Sequence, residues 1–102
     1  MPELDELIHQ PVRLRIMACL VALDLDEQVD FAYLRDLLKL SDGNLGAHLG
    51  KLEAAQYVQI EKTFVSRKPR TFIRASGAGR DAFGRHVAAL RQLLADPGHT
   101  ES

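Results

Sequence analysis

The chain has 102 residues, of which 46% are hydrophobic and 26% charged, and a formal net charge of −1; these values fit one globular domain, residues 1–102, with a modest core. No apolar run approaches the ~20 residues of a membrane span, so neither a membrane-spanning helix nor a membrane partner is expected, and the acidic N-terminus does not indicate a signal peptide. The single cysteine, Cys19, excludes an internal disulfide, and its apolar neighbours predict a buried, inert thiol in a cytoplasmic protein.

Two helices are predicted in the first part of the chain, after a short apolar and acidic run at 4–9. Pro11 suits a first helical turn, and residues 12–23 carry apolar side chains at helical spacing. A polar turn then leads to Asp30, whose carboxylate is a favourable N-cap for a second helix at 31–38. The apolar stripe of the first helix consists of Val12, Ile16, Cys19, Leu20 and Leu23.

The third predicted helix, 42–55, follows Ser41, which is a favourable N-cap. Its leucine stripe consists of Leu45, Leu49 and Leu52. The helix also contains three glycines, each of which costs a helix interior about 0.5–1 kcal/mol relative to alanine. We expect Gly43 to leave a bare backbone in the first turn, Gly46 to admit close packing of a neighbouring helix, and Gly50 to mark a lost side chain.

A β-hairpin and a long helix are predicted in the second half. Residues 57–64 alternate as a half-buried strand, a turn containing proline follows at 65–69, and 70–75 return as the partner strand. The apolar side of the first strand consists of Val58, Ile60 and Phe64. Ser76 then caps a final helix at 77–95. The predicted fold class is mainly α with a small β-hairpin (α+β), in the order helix-helix-helix-hairpin-helix.

The small net charge hides a basic middle of the chain. Residues 1–38 contain eight acids and three bases (−5), residues 39–80 three acids and eight bases (+5), and residues 81–102 three acids and two bases (−1). The eight central bases are Lys39, Lys51, Lys62, Arg67, Lys68, Arg70, Arg74 and Arg80. A local field of this kind attracts an anionic partner, although chance clustering also explains the charges taken alone.

Two short helices joined by a tight turn and followed at once by a basic hairpin form the winged helix-turn-helix layout. Because a helix turns by 100° per residue, the leucine stripe of 42–55 lies opposite a second set of side chains. That set consists of Asn44, Ala47, His48 and Lys51. Asn44 suits adenine and Lys51 suits guanine or a phosphate in the major groove. The alternative is an ordinary solvated helix face.

The hairpin tip, SRKPRT at 66–71, carries Arg67, Lys68 and Arg70 within four residues. Such a basic loop suits phosphate contacts or insertion into a narrowed minor groove. The alternative is an exposed turn made soluble by its charge. The position of the loop shortly after the leucine-bearing helix favours the DNA-binding interpretation.

Three segments resemble small bacterial winged-helix transcriptional regulators related to the MarR and ArsR groups, especially stand-alone members: HQPVRLRIMACL, VDFAYLRDLLKLSDGNLGAHLGKLEAAQYVQIEK and RKPRTFIRASGAGRDAF. The resemblance covers residues 8–90. It implies a homodimeric transcriptional regulator on near-palindromic double-stranded DNA, with recognition helix 42–55 in the major groove and wing 64–72 on the flanking minor groove. The expected DNA contacts are Ser41, Gly43, Asn44, Ala47, His48 and Lys51 in the helix and Lys62, Arg67, Lys68, Arg70 and Thr71 in the wing, about 57–75.

Two positions depart from the pattern of these regulators. Gly50 stands where a basic residue usually contacts a phosphate, which puts that contact in doubt. Gln56 stands where a glycine usually ends the recognition helix in a left-handed conformation, so the helix must end differently or with strain.

The last helix carries a continuous apolar seam at helical spacing: Phe83, Val87, Leu90 and Leu94. We expect this seam to pair with the same elements of a second chain. The N-terminal segment is expected to contribute Leu4, Leu7 and Ile8 to that homodimer. The alternative is that the seam packs only on its own domain.

No cofactor or metal is expected, because one cysteine cannot supply a thiolate pair and the histidines are scattered at His9, His48, His86 and His99. His9 and His86 can meet, although ordinary packing or a surface position explains them as well. No phosphate loop, nucleophile elbow or paired-carboxylate motif indicates an enzyme. The remaining alternative is a non-DNA module that binds another protein through its last helix. The operator and any small-molecule effector are not predictable.

Overall fold

The computed structural model describes residues 4–95, and the structural statements below concern that part of the chain. Its elements are α1 (Glu6–His9), α2 (Pro11–Val21), β1 (Val29–Asp30), α3 (Phe31–Leu38), α4 (Asp42–Ala54), β2 (Val58–Val65), β3 (Lys68–Ala75) and α5 (Gly77–Ala95). The predicted fold class, mainly helical with a small antiparallel sheet, is confirmed. The N-terminal and C-terminal ends of the predicted domain, 1–3 and 96–102, lie outside the described residues.

Two elements are additional to the predicted order. α1 is a single turn, which Asp5 caps by accepting hydrogen bonds from the backbone N–H groups of Leu7 and Ile8. β1 pairs antiparallel with β3 through Val29 and Asp30, so the sheet has three strands in the order β1-β3-β2. Elements of four and two residues are too short to show a periodic pattern, and β1 in addition depends on pairing with a distant strand.

The three predicted N-caps are confirmed. Asp30 accepts hydrogen bonds from the N–H groups of Ala32 and Tyr33 at the start of α3. The Ser41 hydroxyl accepts from the N–H of Asn44 at 3.1 Å, and the Ser76 hydroxyl from the N–H of Gly79 at 2.9 Å. Each cap satisfies an N–H group that has no partner inside its own helix.

The core lies between α2, α3, α4 and one face of the sheet. The leucine stripe of α4 is buried as predicted, with Leu45, Leu49 and Leu52 at most 1% exposed. In α2 the fully buried residues include Met17, whereas Cys19 is only half-buried. The prediction of a buried Cys19 is therefore wrong, because the buried face of α2 is rotated toward Met17.

Helix α4 is terminated by a residue other than glycine, Gln56. Gln56 adopts a left-handed conformation with φ 66° and donates its N–H to the carbonyl of Glu53 at 2.8 Å. The N–H of Tyr57 reaches back to the carbonyl of Leu52 at 2.9 Å, which completes a Schellman motif. The left-handed conformation costs a non-glycine residue roughly 1–2 kcal/mol, so the helix ends in the usual geometry with strain.

The hairpin turn is tighter than predicted. Ser66 and Arg67, with φ 51° and 68°, form a two-residue turn, and Val65 pairs directly with Lys68. Lys68 and the following proline therefore lie in β3, which corrects the predicted turn at 65–69 and the predicted strand start at residue 70. A side chain at the tip has no core to pack on, and Phe64 is 72% exposed, which corrects its predicted half-buried position.

The long helix α5 contacts the rest of the domain through small residues and one histidine: Gly79, Ala82, His86 and Ala89. A Cβ atom at Gly79 would lie 2.0 Å from the carbonyl oxygen of Tyr57, so the helix backbone packs directly on the chain after α4. Nearby, the guanidinium of Arg80 donates to the carbonyls of Val21, Leu23 and other residues at the C-terminal end of α2. None of the helices within residues 4–95 has both the length and the apolar character to cross a membrane.

Candidate nucleic-acid interface

The outer face of α4 presents polar and small side chains to solvent. Asn44, Ala47 and Lys51 are exposed, while the leucines on the opposite face are buried. Ser41 and Gly43 are exposed at the start of the helix, where the Ser41 hydroxyl is already occupied as the N-cap. An exposed face of this kind on a helix of 13 residues has the dimensions that the major groove admits.

The acid at the start of α4 is neutralised by a neighbouring helix. Arg35 of α3 contacts the carboxylate of Asp42 at 2.8 Å and that of Asp36 at 2.9 Å. This contact joins the two helices across their turn. It also offsets a negative charge that would repel a phosphate close to the exposed face.

His48 is half-buried rather than fully exposed on this face. Its Nδ1 lies 3.2 Å from the guanidinium of Arg13, whose Nε donates to the carbonyl of Leu7 at 2.6 Å. Burial, followed by the charges of Arg13 and Lys51, lowers the pKa of His48. The lowered pKa favours the neutral ring, whose Nδ1 accepts from Arg13 because a guanidinium can only donate. The sequence did not identify Arg13 as part of the site.

The two faces of the hairpin carry different side chains. Since side chains alternate along a strand, Lys62 and Thr71, which are paired across the strands, share the face that continues toward α4. Lys68 and Arg70 lie on the other face, and Arg67 lies in the turn. The predicted wing residues are thus distributed over two faces and the tip instead of one basic loop.

Arg70 is held by the edge of the sheet. Its Nε donates to the carboxylate of Asp30, and its guanidinium lies 5.8 Å from the centre of the Phe72 ring. Burial by itself would raise the pKa of Asp30, but hydrogen bonds from Arg70 and from two backbone N–H groups outweigh it and hold the pKa below its usual value. Arg70 therefore ties the wing to the N-cap of α3, and part of its charge is neutralised there.

A groove of about 600 Å³ separates α4 from the wing. The glycines Gly46 and Gly50 line it together with Phe31, Leu49, Glu53, Ile60, Lys62 and Thr71. A Cβ atom added at Gly43, Gly46 or Gly50 would meet nothing within 4 Å. The prediction that Gly46 admits a closely packed helix is therefore wrong; the glycine leaves the side of α4 that faces the wing open.

The basic middle of the chain divides into structural and exposed charges. Arg80 caps the end of α2, Arg74 donates to Gln59, and Arg70 pairs with Asp30. Lys39 is exposed in the turn between α3 and α4. The bases that remain exposed on α4 and on the wing are Lys51, Lys62, Arg67 and Lys68. Within residues 4–95 these four form no ion pair, which leaves them available to phosphates.

The residues predicted for a dimer have different environments. Ile8 is fully buried in its own chain, so the prediction that it contacts a second chain is wrong; α1 packs into the core instead. Leu4 and Leu7 are half-buried. Along α5 the exposure of the seam increases toward the C-terminal end, where Leu94 is 78% exposed.

His86 is the buried polar residue of the core, at 1% exposure. Its Nδ1 accepts the backbone N–H of Asp5 at 3.0 Å, and its ring centre lies 5.6 Å from that of His9, so these two histidines do meet. Burial and then His9 lower its pKa, against the opposite effect of Asp5. The described residues contain no group of three or more side chains suited to a metal ion.

Comparison with known proteins identifies the family and the fold of this domain. The model of the family described as winged helix DNA-binding domain matches residues 12–94. An uncharacterized protein of the archaeon Methanocaldococcus jannaschii is 35% identical over 88 residues, which cover 86% of this chain and 92% of that protein.

Two solved structures are similar as well. The transcriptional regulator homologue protein from Pyrococcus horikoshii OT3 is 26% identical with a TM-score of 0.83, over 92% of this chain and 90% of that one. A possible transcriptional regulator from Methanosarcina mazei Go1 has a TM-score of 0.61 at 15% identity, over 94% and 82% of the two chains, and that similarity concerns the fold alone.

Proposed function

The chain belongs to the winged helix DNA-binding domain family, and from this premise we propose that it is a transcriptional regulator that binds double-stranded DNA in a sequence-specific manner. One observation carries the proposal: Asn44, Ala47 and Lys51 are exposed on the face of α4 opposite its buried leucines. In this proposal α4 enters the major groove and the wing contacts the flanking minor groove or its phosphates.

In this proposal, contacts to base edges determine sequence preference, and contacts to phosphates supply affinity. Asn44 offers both a donor and an acceptor to an adenine edge, and the methyl group of Ala47 suits a thymine methyl. Lys51 and Lys62 contact a base or phosphates, while Arg67 and Lys68 supply charge at the wing. Gly43 and Ser41 bring the start of α4 close to a phosphate, where the helix dipole favours negative charge.

We further propose a homodimer that binds a near-palindromic operator. The buried contact of α5 uses Gly79, Ala82, His86 and Ala89, and the apolar seam lies about 90° further round the helix at 100° per residue. Phe83 packs on the core of its own chain, which leaves the part of the seam toward the exposed Leu94 for a second chain. We assign the half-buried Leu4 and Leu7 to the same interface.

Kinship with bacterial MarR- and ArsR-like regulators is a proposal that rests on the sequence segments, since the relative found at 35% identity is archaeal. We propose that the protein acts in the cytoplasm, by binding and without catalysis or a cofactor.

The test is selection of bound duplexes from a random pool, followed by titration of the selected site at several salt concentrations. The logarithm of affinity should fall linearly with the logarithm of salt concentration, with a slope of ~0.9 per neutralised phosphate. No selected sequence and a flat salt response would contradict the proposal and favour the protein-interaction alternative.

The exposed face of α4 is tested by Asn44→Ala. Loss of a bidentate base contact should cost ~1–3 kcal/mol on the selected site and relax the preference at one position. Gln28→Ala removes an exposed amide from the loop before β1 and is the matched control, which should leave binding unchanged. Unchanged sequence preference in Asn44→Ala would show that another face reads the bases.

A further inference from the structure

The tip of the wing exposes large apolar side chains. Phe64 is 72% exposed and Val65 43% exposed, whereas Phe31, Phe72 and Phe83 are each at least partly buried. Burying a side chain of this size contributes about 1.5–3 kcal/mol. Because most of the Phe64 side chain stays exposed after folding, this burial free energy can still be gained when a partner binds.

The register of the hairpin places Phe64 on the side of the recognition helix. The pair Ile60 and Ile73 forms the base of this face, with Ile73 fully buried in the core. The next pair on the same face, Lys62 and Thr71, lines the groove beside α4. Phe64 and its partner Pro69 are the following pair, so an apolar tip continues the face that borders the groove.

The charges around the tip identify the class of partner. From Lys62 to Ala75 the chain contains no acidic residue, and Lys62, Arg67 and Lys68 are exposed around the apolar pair. A single aromatic ring surrounded by cations suits a nucleic acid, which offers phosphates at the edges of a groove and apolar base faces inside it.

Two contacts also fix the wing to the rest of the domain. The ion pair between Arg70 and Asp30 ties β3 to the start of α3, and β1 pairs with the same strand. The two-residue turn at Ser66 and Arg67 leaves no long loop at the tip. Partial unstacking costs a few kcal/mol per base step, and a hairpin fixed to the domain in this way can keep its position against that cost.

We propose that Phe64, supported by Pro69, inserts into the minor groove beside each half-site, partly unstacks one base step and bends the duplex. The wing then prefers flexible pyrimidine–purine steps such as TA or CA, and so contributes to specificity without a hydrogen bond to a base. This inference rests on the proposed function, since it requires that the chain bind duplex DNA.

The experiment uses the duplex selected by the wild-type protein, with 2-aminopurine placed at each adenine that flanks the half-sites and with dyes at both ends. Wild-type binding should increase the fluorescence of one 2-aminopurine and bring the dyes closer. Phe64→Ala should abolish both signals and weaken binding about tenfold, within the range for loss of one base–aromatic contact, with the salt slope unchanged.

Two further variants keep the result interpretable. Phe64→Leu retains an apolar wedge and should keep most of the bend, while Val65→Ala shortens the exposed apolar neighbour on the other face and should behave as wild type. Because Phe64 is exposed, thermal unfolding of Phe64→Ala should match that of wild type.

The outcomes separate the inference from the proposed function. If wild type binds no duplex with a salt-dependent affinity, the proposed function fails. If wild type binds with the expected salt slope while Phe64→Ala keeps the bend and the 2-aminopurine signal, the insertion is overturned and the proposed function stands. A loss of affinity in Phe64→Ala with the bend retained also overturns the insertion.

Discussion

Among single residues, Arg80 shows that a charge counted in the basic middle of the chain can have a structural role. Its guanidinium donates to the carbonyls of Val21, Leu23 and Asp24 at 3.2, 3.0 and 3.1 Å. A cation at a helix C-terminus interacts favourably with the helix dipole and satisfies carbonyls that have no partner within the helix. Arg80 thereby joins α5 to the end of α2.

Arg80→Ala should therefore lower the free energy of unfolding by about 1.5–3 kcal/mol, the range for hydrogen bonds to a charged group. Urea denaturation measures the change. Arg85→Ala removes an exposed arginine from the same helix and should stay within about 0.5 kcal/mol of wild type. Equal effects of the two variants would show that the contacts to α2 contribute nothing.

His86 should make stability depend on pH. Its folded pKa is lowered by burial and by His9, so the unfolded chain, with a pKa of about 6.5, binds a proton more readily. This contribution to stability is complete above about pH 6.5 and is lost as the pH falls below that value toward the folded pKa.

The measurement is urea denaturation at several pH values for wild type and His86→Gln, which cannot titrate in this range but keeps an acceptor for the N–H of Asp5. The pH dependence should become shallower in the variant. His48 also has a lowered pKa, and His48→Gln should remove a separate part of the dependence. If the free energy of unfolding of His86→Gln depended on pH as in wild type, His86 would not be a source of that dependence.

At the scale of elements, the packing of α5 depends on a glycine that only the structure explains. The backbone at Gly79 is in contact with the carbonyl of Tyr57, whereas a Cβ atom at Gly84 on the same helix would meet nothing within 4 Å. Gly79 is thus required by the approach of two backbones, and Gly84 is not.

Gly79→Ala should destabilise the protein by about 1–3 kcal/mol or more, because the methyl group cannot fit without moving the helix. Gly84→Ala should stabilise it by about 0.5–1 kcal/mol through helix propensity. Thermal unfolding of the two variants should therefore shift in opposite directions, and a shift of the same sign would contradict this account of α5.

The wing contains two arginines that the sequence treats alike and the structure separates. Arg67 is exposed in the turn, while Arg70 is paired with Asp30. Arg67→Ala should reduce the salt slope of DNA binding by about 1, as expected for one phosphate contact. Arg70→Ala should change the slope less, because its charge is already partly neutralised. The reverse order would show that Arg70 leaves Asp30 when DNA binds.

At the scale of the whole molecule, the proposed homodimer depends on the seam of α5. Leu94→Glu should produce a monomer in sedimentation experiments at micromolar concentration and weaken binding to a near-palindromic site, since both half-sites are no longer held together. Gln92→Glu introduces the same charge on the opposite side of the helix and should leave the dimer intact. A wild-type monomer would rule out the homodimer.

The features that depend on near neighbours in the chain were predictable from the sequence. The N-caps Asp30, Ser41 and Ser76, the span of α5 and the buried leucines of α4 each follow from residues within about one or two turns. The exposed positions of Asn44 and Lys51 follow from the same helical rotation. Local geometry thus determines where α4 begins and which of its sides is outside.

Only the tertiary structure decided which distant groups come together. Arg13 meets His48 across 35 positions of sequence, Arg80 reaches the end of α2 across 56 to 60, and His86 accepts from Asp5 across 81. The exposure of Phe64 was decided in the same way, because an alternating pattern does not show how far a hairpin extends beyond its core. Helical and strand periodicity specify which side chains share one face of an element. Which face meets which neighbouring element depends on how the whole chain packs.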